Sequence, residues 1–268
     1  ATLSLCGNET DGAKRIADGL GMPFYIFDEH ELFAREVMDH FVSEYCAGRT
    51  PNPCIDCNRY IKFDQLMHRA KELQFDYVVT GHYAINEYDE EKGRWILRKA
   101  TDDTKDQSYV LYSLTQERLA RTIFPLAGLD KERDVRRIAA EQGFINAKKA
   151  ESEDICFIAD GDYAGYIERR CGHAAAPGDI VWRDGSVVGR HNGALRYTIG
   201  QRKGLGLAMG APVYVCAKDM QANTVTVGPE SELFDTIVYA NEVNWIAIPE
   251  LTGPLRVTAR TRYHPTEQ

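Results

Sequence analysis

The sequence has none of the features that mark membrane, secreted or disulfide-stapled proteins. In 268 residues, no apolar run approaches the roughly 18 residues that cross a bilayer. The opening segment, Ala1–Cys6, is too short for a signal peptide and lacks its basic start. The seven cysteines are odd in number and irregularly spaced, a usage typical of a reducing cytosol. We therefore expect a cytoplasmic protein that makes no contact with a membrane.

The common nucleotide-binding motifs are lacking too. No Walker A loop is present, and Gly204, Gly206 and Gly210 have the wrong spacing for a dinucleotide fingerprint. The formal net charge of −8 argues mildly against a nucleic-acid partner, although a local basic face can still bind phosphates. The hydrophobic share of 44% is enough for a core in one large domain or a few small ones.

The first half of the chain alternates predicted helices with short apolar strands. Helices are predicted at Asp11–Leu20, Glu29–Cys46, Thr115–Ile123 and Asp130–Gln142, and strands at Phe24–Phe27, Tyr77–Thr80 and Trp95–Lys99. This β-α-β-like alternation predicts a parallel sheet covered by helices. Ligands of such sheets bind beyond the carboxyl ends of the strands, which places Gly81 and His82 at a candidate site. By itself, His82 fits an ordinary loop histidine.

After about residue 175 the pattern is mostly β. Ile180–Trp182 and Val187–Val188 flank a tight turn and predict a hairpin, and Val213–Ala217 with Thr224–Val227 predict another strand pair. The segment preceding these strands, around Cys156, is predicted as loop and strand. Leu255–Tyr263 alternates like a strand, and its position predicts a last domain that is cut short.

Two basic segments stand out in this acidic chain. Arg196–Gly204 combines three cations with a tyrosine and two glycines, which fits either a charged turn or a phosphate-contacting loop. Arg256, Arg260 and Arg262 alternate, so a strand there places them on one face, with Tyr263 able to stack on a base.

The stretch of residues 48–63 carries two prolines, two cysteines and three cations. Pro51 and Pro53 restrict the residues before them and predict a stiff loop. Apolar residues then recur at helical spacing, at Phe63, Leu66, Met67, Ala70 and Leu73. We therefore expect Cys57 at or just before a helix N-terminus, where the helix dipole favours the reactive thiolate.

The Cys54–Cys57 pair allows several interpretations. Half of a zinc site needs two further Cys or His ligands at close spacing, and a thioredoxin-like motif needs a thioredoxin βαβ pattern, which is not evident. An iron–sulfur cluster on Cys54, Cys57 and Cys156 needs only thiolates, and nucleophilic cysteine chemistry is the remaining alternative. Cys156 by itself, between Ile155 and Phe157, fits a buried core thiol. Cys6, Cys46, Cys171 and Cys216 are given no role.

Taken together, several segments resemble the tRNA-specific 2-thiouridylase family, in that family's order and over nearly the whole chain. They are Gly48–Pro53, Cys57-Asn58, Ile61–Phe63, Thr80–Ala84, Lys105–Tyr109, Ile155–Ile158, Tyr197–Arg202 and Thr261–Tyr263. The resemblance implies an α/β parallel-sheet nucleotide-binding domain of the adenine nucleotide hydrolase-like type at residues 1–165. A small central tRNA-binding domain at 166–232 and the start of a β-barrel-like domain at 233–268 would follow.

The resemblance also implies an activity, a tRNA-uridine 2-sulfurtransferase that transfers sulfur to C2 of the wobble uridine. ATP, with Mg²⁺, would adenylate the C2 oxygen so that AMP becomes the leaving group. Cys156 would hold the sulfur as a persulfide, and Cys57 would be the nucleophile that releases it and closes a Cys57–Cys156 disulfide. The partners would be tRNA and a sulfur donor, such as a cysteine desulfurase or a sulfur-relay protein.

Further site residues follow from the same resemblance. Asn52, Pro53 and Cys54 match the part of the motif that contacts the target base, and Gly81 matches a nucleotide-contacting glycine. The implied tRNA contacts are His82, Lys105, Asp106, Gln107, Arg262 and Tyr263. Without the resemblance, Lys105–Gln107 fits a solvated loop.

The sequence departs from the family pattern in two ways. The family begins with a pyrophosphate-binding loop of the type Ser-Gly-Gly-x-Asp-Ser, which this sequence lacks, so the chain as given is expected to bind ATP poorly. Cys54 stands where relatives often have an acidic residue, which keeps a [4Fe-4S] cluster on the three cysteines as an alternative carrier of the sulfur. A non-catalytic RNA- or metal-binding module is the alternative outside enzymes.

Overall fold

The computed structural model describes residues 9–145, 147, 155–172 and 175–260. The chain forms two compact units. The first unit comprises Ala1–Glu36, Cys54–Glu151 and Glu242–Gln268, and the second comprises Val37–Pro53 and Ser152–Asn241. The predicted domain limits at 165 and 232 stay predictions. None of the described helices is long and apolar enough to span a membrane.

Three longer helices each contain a π-helical stretch, either inside the helix or at one end. The helices and helical turns are Glu9–Gly19, His30–Phe33, Ala34–Asp39, His40–Cys46, Pro53–Asp56, Cys57–Gln65, Leu66–Glu72, Ser108–Val110, Gln116–Ala120, Lys131–Val135, Arg136–Glu141, Tyr163–Cys171, Ala194–Arg196 and Glu230–Leu233. Adjoining segments form the helices 30–46, 53–72 and 131–141. The predicted helix Glu29–Cys46 is confirmed, with Phe33, Val37 and Phe41 buried.

The strands are β1 Val78–Val79, β2 Ala84–Asp89, β3 Arg94–Lys99, β4 Thr122–Ile123, β5 Gly178–Trp182, β6 Val187–His191, β7 Tyr214–Asp219 and β8 Thr224–Gly228. In the first unit, β1 and β4 pair in parallel, with Val78 opposite Thr122 and Val79 opposite Ile123. This parallel pair agrees with the predicted α/β class. β2 and β3 form a separate antiparallel hairpin.

Helix 53–72 begins earlier than the sequence predicted. Pro53 opens it, because proline presets the helical φ and its missing N–H is not needed at the first helical position. The expectation that Cys57 lies at or before the N-terminus is therefore wrong, since Cys57 is the fifth helical residue. The helix buries Asn58, Ile61 and Phe63. Phe63 joins the core of the first unit, with Ala84, Val110, Leu111, Leu114, Leu119 and Phe124.

Several predicted strands and helix ends in the first unit differ from the structure. Phe24–Phe27 holds only an isolated bridge at Ile26, and Thr122–Ile123 is a strand rather than the end of a helix. Val78 is buried but Val79 is 57% exposed, so the strand predicted as buried presents one side to solvent. β2 was missed, although its apolar residues and the turn at Gly93 fit a hairpin with Arg94–Lys99.

The second unit is built on a four-stranded sheet in the order β6-β5-β8-β7. Both predicted strand pairs are confirmed; β5 and β6 form the hairpin, β7 pairs with β8, and β5 and β8 run parallel. The sheet packs on a core of Ile180, Ala194, Leu205, Val213, Val215, Val225 and Val227.

Two further predicted strands are wrong within the described residues. Cys156 lies in a turn closed by the bond from Ile158 N to Ile155 O, 2.9 Å. Residues 255–260 have no regular structure. A strand requires a neighbouring strand to satisfy its backbone groups, and neither segment has one in the part of the chain that the structure describes. Alternation in the sequence alone does not supply that partner.

The close approach at Gly178 gives a stability prediction for the second unit. An added Cβ there would overlap the carbonyl oxygen of Asn223 and lie 2.7 Å from the ring of His191. We expect Gly178→Ala to lower the free energy of unfolding by about 2 kcal/mol, because backbone and ring must shift. Gly128→Ala is the control, since nothing lies within 4 Å of its added Cβ. Urea unfolding compares them, and equal midpoints would contradict this packing.

Candidate functional site

The first turns of helix 53–72 carry the two cysteines of the motif. Pro53 is buried, Cys54 is exposed and Cys57 is half-buried. Residues three apart lie on one face of a helix, so both thiols share a face. Asn52 is half-buried and precedes the helix, so the three residues predicted to contact the target base lie just before the helix and in its first turn. The stiff loop is therefore shorter than predicted.

Lys62, to which sequence patterns assigned no role, supplies a positive charge at this site. Desolvation raises the pKa of the Cys54 thiol, although the residue as a whole is exposed, and the Lys62 ammonium partly opposes this. The same ammonium disfavours protonation of His82. Lys62 therefore lies close enough to both groups to act on their charge. The sequence signal that could have found it is a lysine five residues after Cys57 in the predicted helix, and the structure shows it half-buried.

The loop between β1 and β2 carries Gly81 and His82. Gly81 is exposed, and its backbone lies directly after the carboxyl end of β1, where a parallel sheet binds ligands. His82 is buried, with its Nδ1 2.7 Å from Thr80 Oγ1 and its ring between those of Phe63 and Phe124, at 5.7 and 5.9 Å. The loop therefore exposes the glycine backbone and buries the imidazole.

Burial makes His82 a neutral histidine. Desolvation, with a smaller effect of Lys62, lowers the pKa of His82 to about 3. A buried neutral imidazole offers no charge to a phosphate, so the structure gives His82 a packing role. Its implied contact with tRNA stays a prediction.

The pKa of His82 predicts a pH dependence of stability. Its folded value of about 3 lies below the ordinary 6.5, so the unfolded chain binds a proton first and stability falls as pH drops from 6.5 towards 3. We expect His82→Gln to reduce the dependence of the free energy of unfolding on pH in this range by up to about 1.4 kcal/mol per pH unit. Urea unfolding at several pH values measures it. The exposed His68→Gln is the control, and an unchanged slope in His82→Gln would contradict the assignment.

Asp106 and Gln107 form hydrogen bonds that hold their own loop in place, and neither projects into solvent. Asp106 is buried and its carboxylate accepts from Ala100 N at 3.0 Å, Ser108 N at 3.2 Å and Ser108 Oγ at 2.9 Å. Gln107 Oε1 accepts from Tyr83 N at 3.1 Å, and Gln107 N donates to Tyr83 O at 2.8 Å. The interpretation of Lys105–Gln107 as a solvated loop is therefore wrong for two of its three residues.

A cavity of about 380 Å³ lies in the first unit beside Asp106. Its lining includes the cationic side chains of Lys99 and Arg260 and the rings of Tyr109 and Tyr112. Arg260 Nη1 lies 3.7 Å from Asp106 Oδ2, so the carboxylate orients this guanidinium. Sequence patterns did not reveal the cavity, because its lining comes from segments far apart in the chain.

In the second unit, the turn that carries Cys156 is held by its neighbours. Ile155 and Phe157 pack against the cluster of Phe41, Val42, Tyr45, Ile158 and Ile167, and the rings of Phe157 and Phe41 meet edge to face at 5.5 Å. Cys156 itself is exposed. The interpretation of Cys156 as a buried core thiol is therefore wrong. Its apolar neighbours fasten the turn and leave the sulfur accessible.

Comparison with known proteins shows which family these features belong to. Residues 2–160 match the family model described as tRNA methyl transferase HUP domain, and residues 165–229 match the tRNA methyl transferase PRC-barrel domain. A Moorella thermoacetica protein named tRNA-specific 2-thiouridylase MnmA is 49% identical over 96% of this chain and 72% of its own length. The chain belongs to the tRNA-specific 2-thiouridylase family.

Other members of the family agree with this assignment. Proteins of the same name from Symbiobacterium thermophilum and Clostridium perfringens are 49% and 47% identical to the chain. Both matches cover 94% of this chain, and they cover 65% and 70% of those proteins. The chain thus spans roughly two thirds of the curated relatives that it matches.

The two basic segments that the sequence pattern singled out have mixed outcomes. Arg262 and Tyr263 lie outside the described residues. Arg256 is exposed but Arg260 turns towards Asp106, so the prediction of one basic face along a strand is wrong for the described part. In the loop 196–204, Arg196 is paired with Glu168 at 2.6 Å, whereas Arg202 and Lys203 are exposed. The two exposed cations remain candidates for phosphate contacts.

The iron–sulfur alternative on Cys54, Cys57 and Cys156 stays a prediction. Within the described ranges, no group of three or more His, Cys, Asp and Glu side chains is arranged to hold a metal ion. Cys54, Cys57 and Cys156 all lie in those ranges.

Proposed function

We propose that the protein carries out ATP-dependent transfer of sulfur to C2 of the wobble uridine of tRNA. The observation that carries the proposal is the 47–49% identity, over 94–96% of the chain, with relatives named tRNA-specific 2-thiouridylase. The chain also has both cysteines that the reaction needs, the half-buried Cys57 and the exposed Cys156. ATP and tRNA are the substrates of the proposed reaction.

Uridine needs activation because its C2 oxygen is a poor leaving group. Transfer of an adenylyl group from ATP to that oxygen, with Mg²⁺ on the phosphates, makes AMP the leaving group. The outer sulfur of a Cys156 persulfide then attacks C2 and AMP departs with the oxygen. The Cys57 thiolate attacks the inner sulfur of Cys156, which forms a Cys57–Cys156 disulfide and leaves the transferred sulfur on the base. An external thiol must reduce this disulfide before the next turnover.

Several residues around helix 53–72 and the loop after β1 support this assignment of roles. Asn52, Pro53 and the neutral Cys54 thiol are proposed to contact the extruded uridine, because they surround the start of the helix that carries Cys57. The exposed backbone of Gly81 is proposed to contact the nucleotide. Lys105, Gln107, Arg262 and Tyr263 remain the proposed tRNA contacts, and the buried Asp106 and His82 are proposed to support tRNA binding by holding the loops around them.

The sulfur must reach Cys156 from a donor that carries it in the persulfide oxidation state. A cysteine desulfurase or a sulfur-relay protein has this chemistry and is the proposed partner. Sulfur is transferred when the thiolate of the acceptor cysteine attacks the outer sulfur of the donor's persulfide. Cys156 is exposed on a well-packed turn, so a donor can reach it for this attack. These partners place the protein in the reducing cytoplasm.

Mass spectrometry of nucleosides tests the proposed reaction. The full gene product is incubated with unmodified tRNA, ATP, Mg²⁺ and a persulfide donor, and the tRNA is digested. The proposal expects uridine with sulfur in place of oxygen at C2, and none when ATP is omitted. The name of the matching family model raises methyl transfer as a separate outcome. A methylated uridine formed from a methyl donor, or tRNA binding without any product, would overturn the proposal.

Lys62 gives a prediction for tRNA binding. We expect Lys62→Met to weaken tRNA binding about fivefold and to reduce the salt slope by about one, because one phosphate contact is lost. Lys71→Met is the matched control, an exposed lysine on the same helix. Filter binding at several salt concentrations measures both quantities. Equal effects of the two substitutions would show that Lys62 contributes only to the net charge.

A further inference from the structure

A second pair of cysteines meets in the second unit, away from the residues assigned to sulfur transfer. Cys46 is the last residue of the helix His40–Cys46, and Cys171 is the last residue of Tyr163–Cys171. Their Sγ atoms lie 3.4 Å apart, although 125 positions separate them in the sequence. Neither cysteine has a role in the proposed reaction. The structure thus brings together two thiols that sequence spacing could not connect.

The packing of the two helices holds these thiols at this distance. Arg170 pairs with Asp39 at 2.6 Å, and the rings of Tyr45 and Tyr163 lie 5.3 Å apart. The aromatic contacts and the ion pair lie on the same two helices as the cysteines. The two sulfur atoms are therefore already close together before any rearrangement that shortens the distance between them.

The position of both cysteines at helix ends makes this rearrangement feasible. Gly172 follows Cys171 with a left-handed φ of +75°, and Ala47 already leaves the helical conformation after Cys46. A disulfide requires about 2.05 Å between the sulfurs, so they must approach by a little over an ångström. Terminal turns absorb such shifts more easily than helix interiors because their last carbonyls are not fixed by helical bonds.

The thiols are accessible but not spontaneously reactive. Cys46 is exposed and Cys171 is half-buried, so a small reagent reaches the pair. Partial desolvation of the thiol and the neighbouring Cys171 raise the pKa of Cys46 to about 11. Few Cys46 side chains are therefore thiolates at neutral pH, so exchange with a disulfide reagent is expected to be slow.

We propose that Cys46 and Cys171 form a redox modification site, which a low-molecular-weight disulfide converts into an intramolecular disulfide. One thiolate attacks the S–S bond of the reagent, which gives a mixed disulfide and releases one reagent thiol. The second protein thiolate attacks the protein-side sulfur and releases the second reagent thiol. The two cysteines lose two electrons, which reduce the reagent disulfide to two thiols, so the exchange is balanced.

The disulfide would restrain two segments that carry proposed site residues. Helix 30–46 leads into the segment with Asn52, and the helix ending at Cys171 follows the turn with Cys156. The bond would join the end of helix 30–46 that leads towards Asn52 to the end of Tyr163–Cys171 that lies away from the Cys156 turn. This site is distinct from the Cys57–Cys156 exchange, so its presence does not depend on the proposed reaction.

Peptide mapping of the folded full gene product tests the site. The reduced protein is exposed to oxidised glutathione under native conditions, remaining thiols are alkylated, and the protein is digested without reduction. We expect the Cys46–Cys171 peptide to exceed any peptide linking either cysteine to Cys216 by at least about tenfold, because contact raises the effective concentration. Treatment with dithiothreitol should remove the link.

Single substitutions separate the pair from general thiol exposure. Cys46→Ser and Cys171→Ser are each expected to leave the remaining cysteine as a stable mixed disulfide with glutathione. Cys216→Ser, in the same unit, is the control and should leave the yield of the link unchanged. Separate glutathione adducts on Cys46 and Cys171 in the wild type, or no modification of either, would overturn the proposal.

Discussion

Replacement of Cys57 by serine is expected to abolish thiolation while tRNA binding stays close to that of the wild type. The half-buried Cys57 is placed on helix 53–72, and the proposed reaction requires its sulfur to attack the inner sulfur of Cys156. A hydroxyl has nearly the same size but is a much poorer nucleophile towards sulfur, so we expect a loss of at least about a thousandfold. Thiouridine formation and tRNA affinity are measured on the same preparation.

Cys156→Ser should give the same loss by another route, since the persulfide then has no place to form. The two variants differ in one respect. Cys57→Ser retains donor-derived sulfur on Cys156, and Cys156→Ser does not take it up. Cys216→Ser is the control, because this thiol lies on β7 and donates to Tyr214 O at 3.4 Å. Thiolation that survives either substitution would contradict the paired-cysteine mechanism.

Asp106→Ala is expected to lower the free energy of unfolding by about 3 kcal/mol, because it removes the acceptor of two backbone N–H groups in a buried setting. The neighbouring Arg260 also loses the carboxylate that orients it. Asp103→Ala is the control, since this residue is exposed on the same loop. Urea unfolding and tRNA binding are measured together. Unchanged stability with a selective loss of tRNA affinity would show that Asp106 contacts tRNA directly and does not brace the loop.

Sequence patterns predicted the elements whose partners lie nearby in the chain. The hairpin of β5 and β6 follows from apolar strands on either side of Asp184-Gly185, and helix 30–46 follows from its apolar spacing. The Cys54–Cys57 pair also stood out, because two prolines and two cysteines are concentrated in one short stretch, and its role stays a prediction. Sequence patterns are therefore sufficient to predict an element when contacts between residues close in the chain determine its structure.

The same patterns failed where tertiary contacts decide. His82 looks like a loop residue in sequence, and only the rings of Phe63 and Phe124 bury it. Asp106 looks solvated until Ala100 and Ser108 surround its carboxylate. Neighbouring apolar residues suggested a buried Cys156, whereas the turn directs them inward and leaves the thiol exposed. These differences depend on segments that sequence spacing does not connect.

Passage of sulfur through Cys156 to the uridine is the claim on which this account depends most. The full gene product is loaded with isotopically labelled sulfur from a persulfide donor, and the peptide containing Cys156 is followed by mass spectrometry before and after tRNA and ATP are added. The account predicts that the label appears on Cys156 and moves to C2 of uridine only when both substrates are present. Labelled thiouridine formed while the Cys156 peptide never carries the label would contradict it.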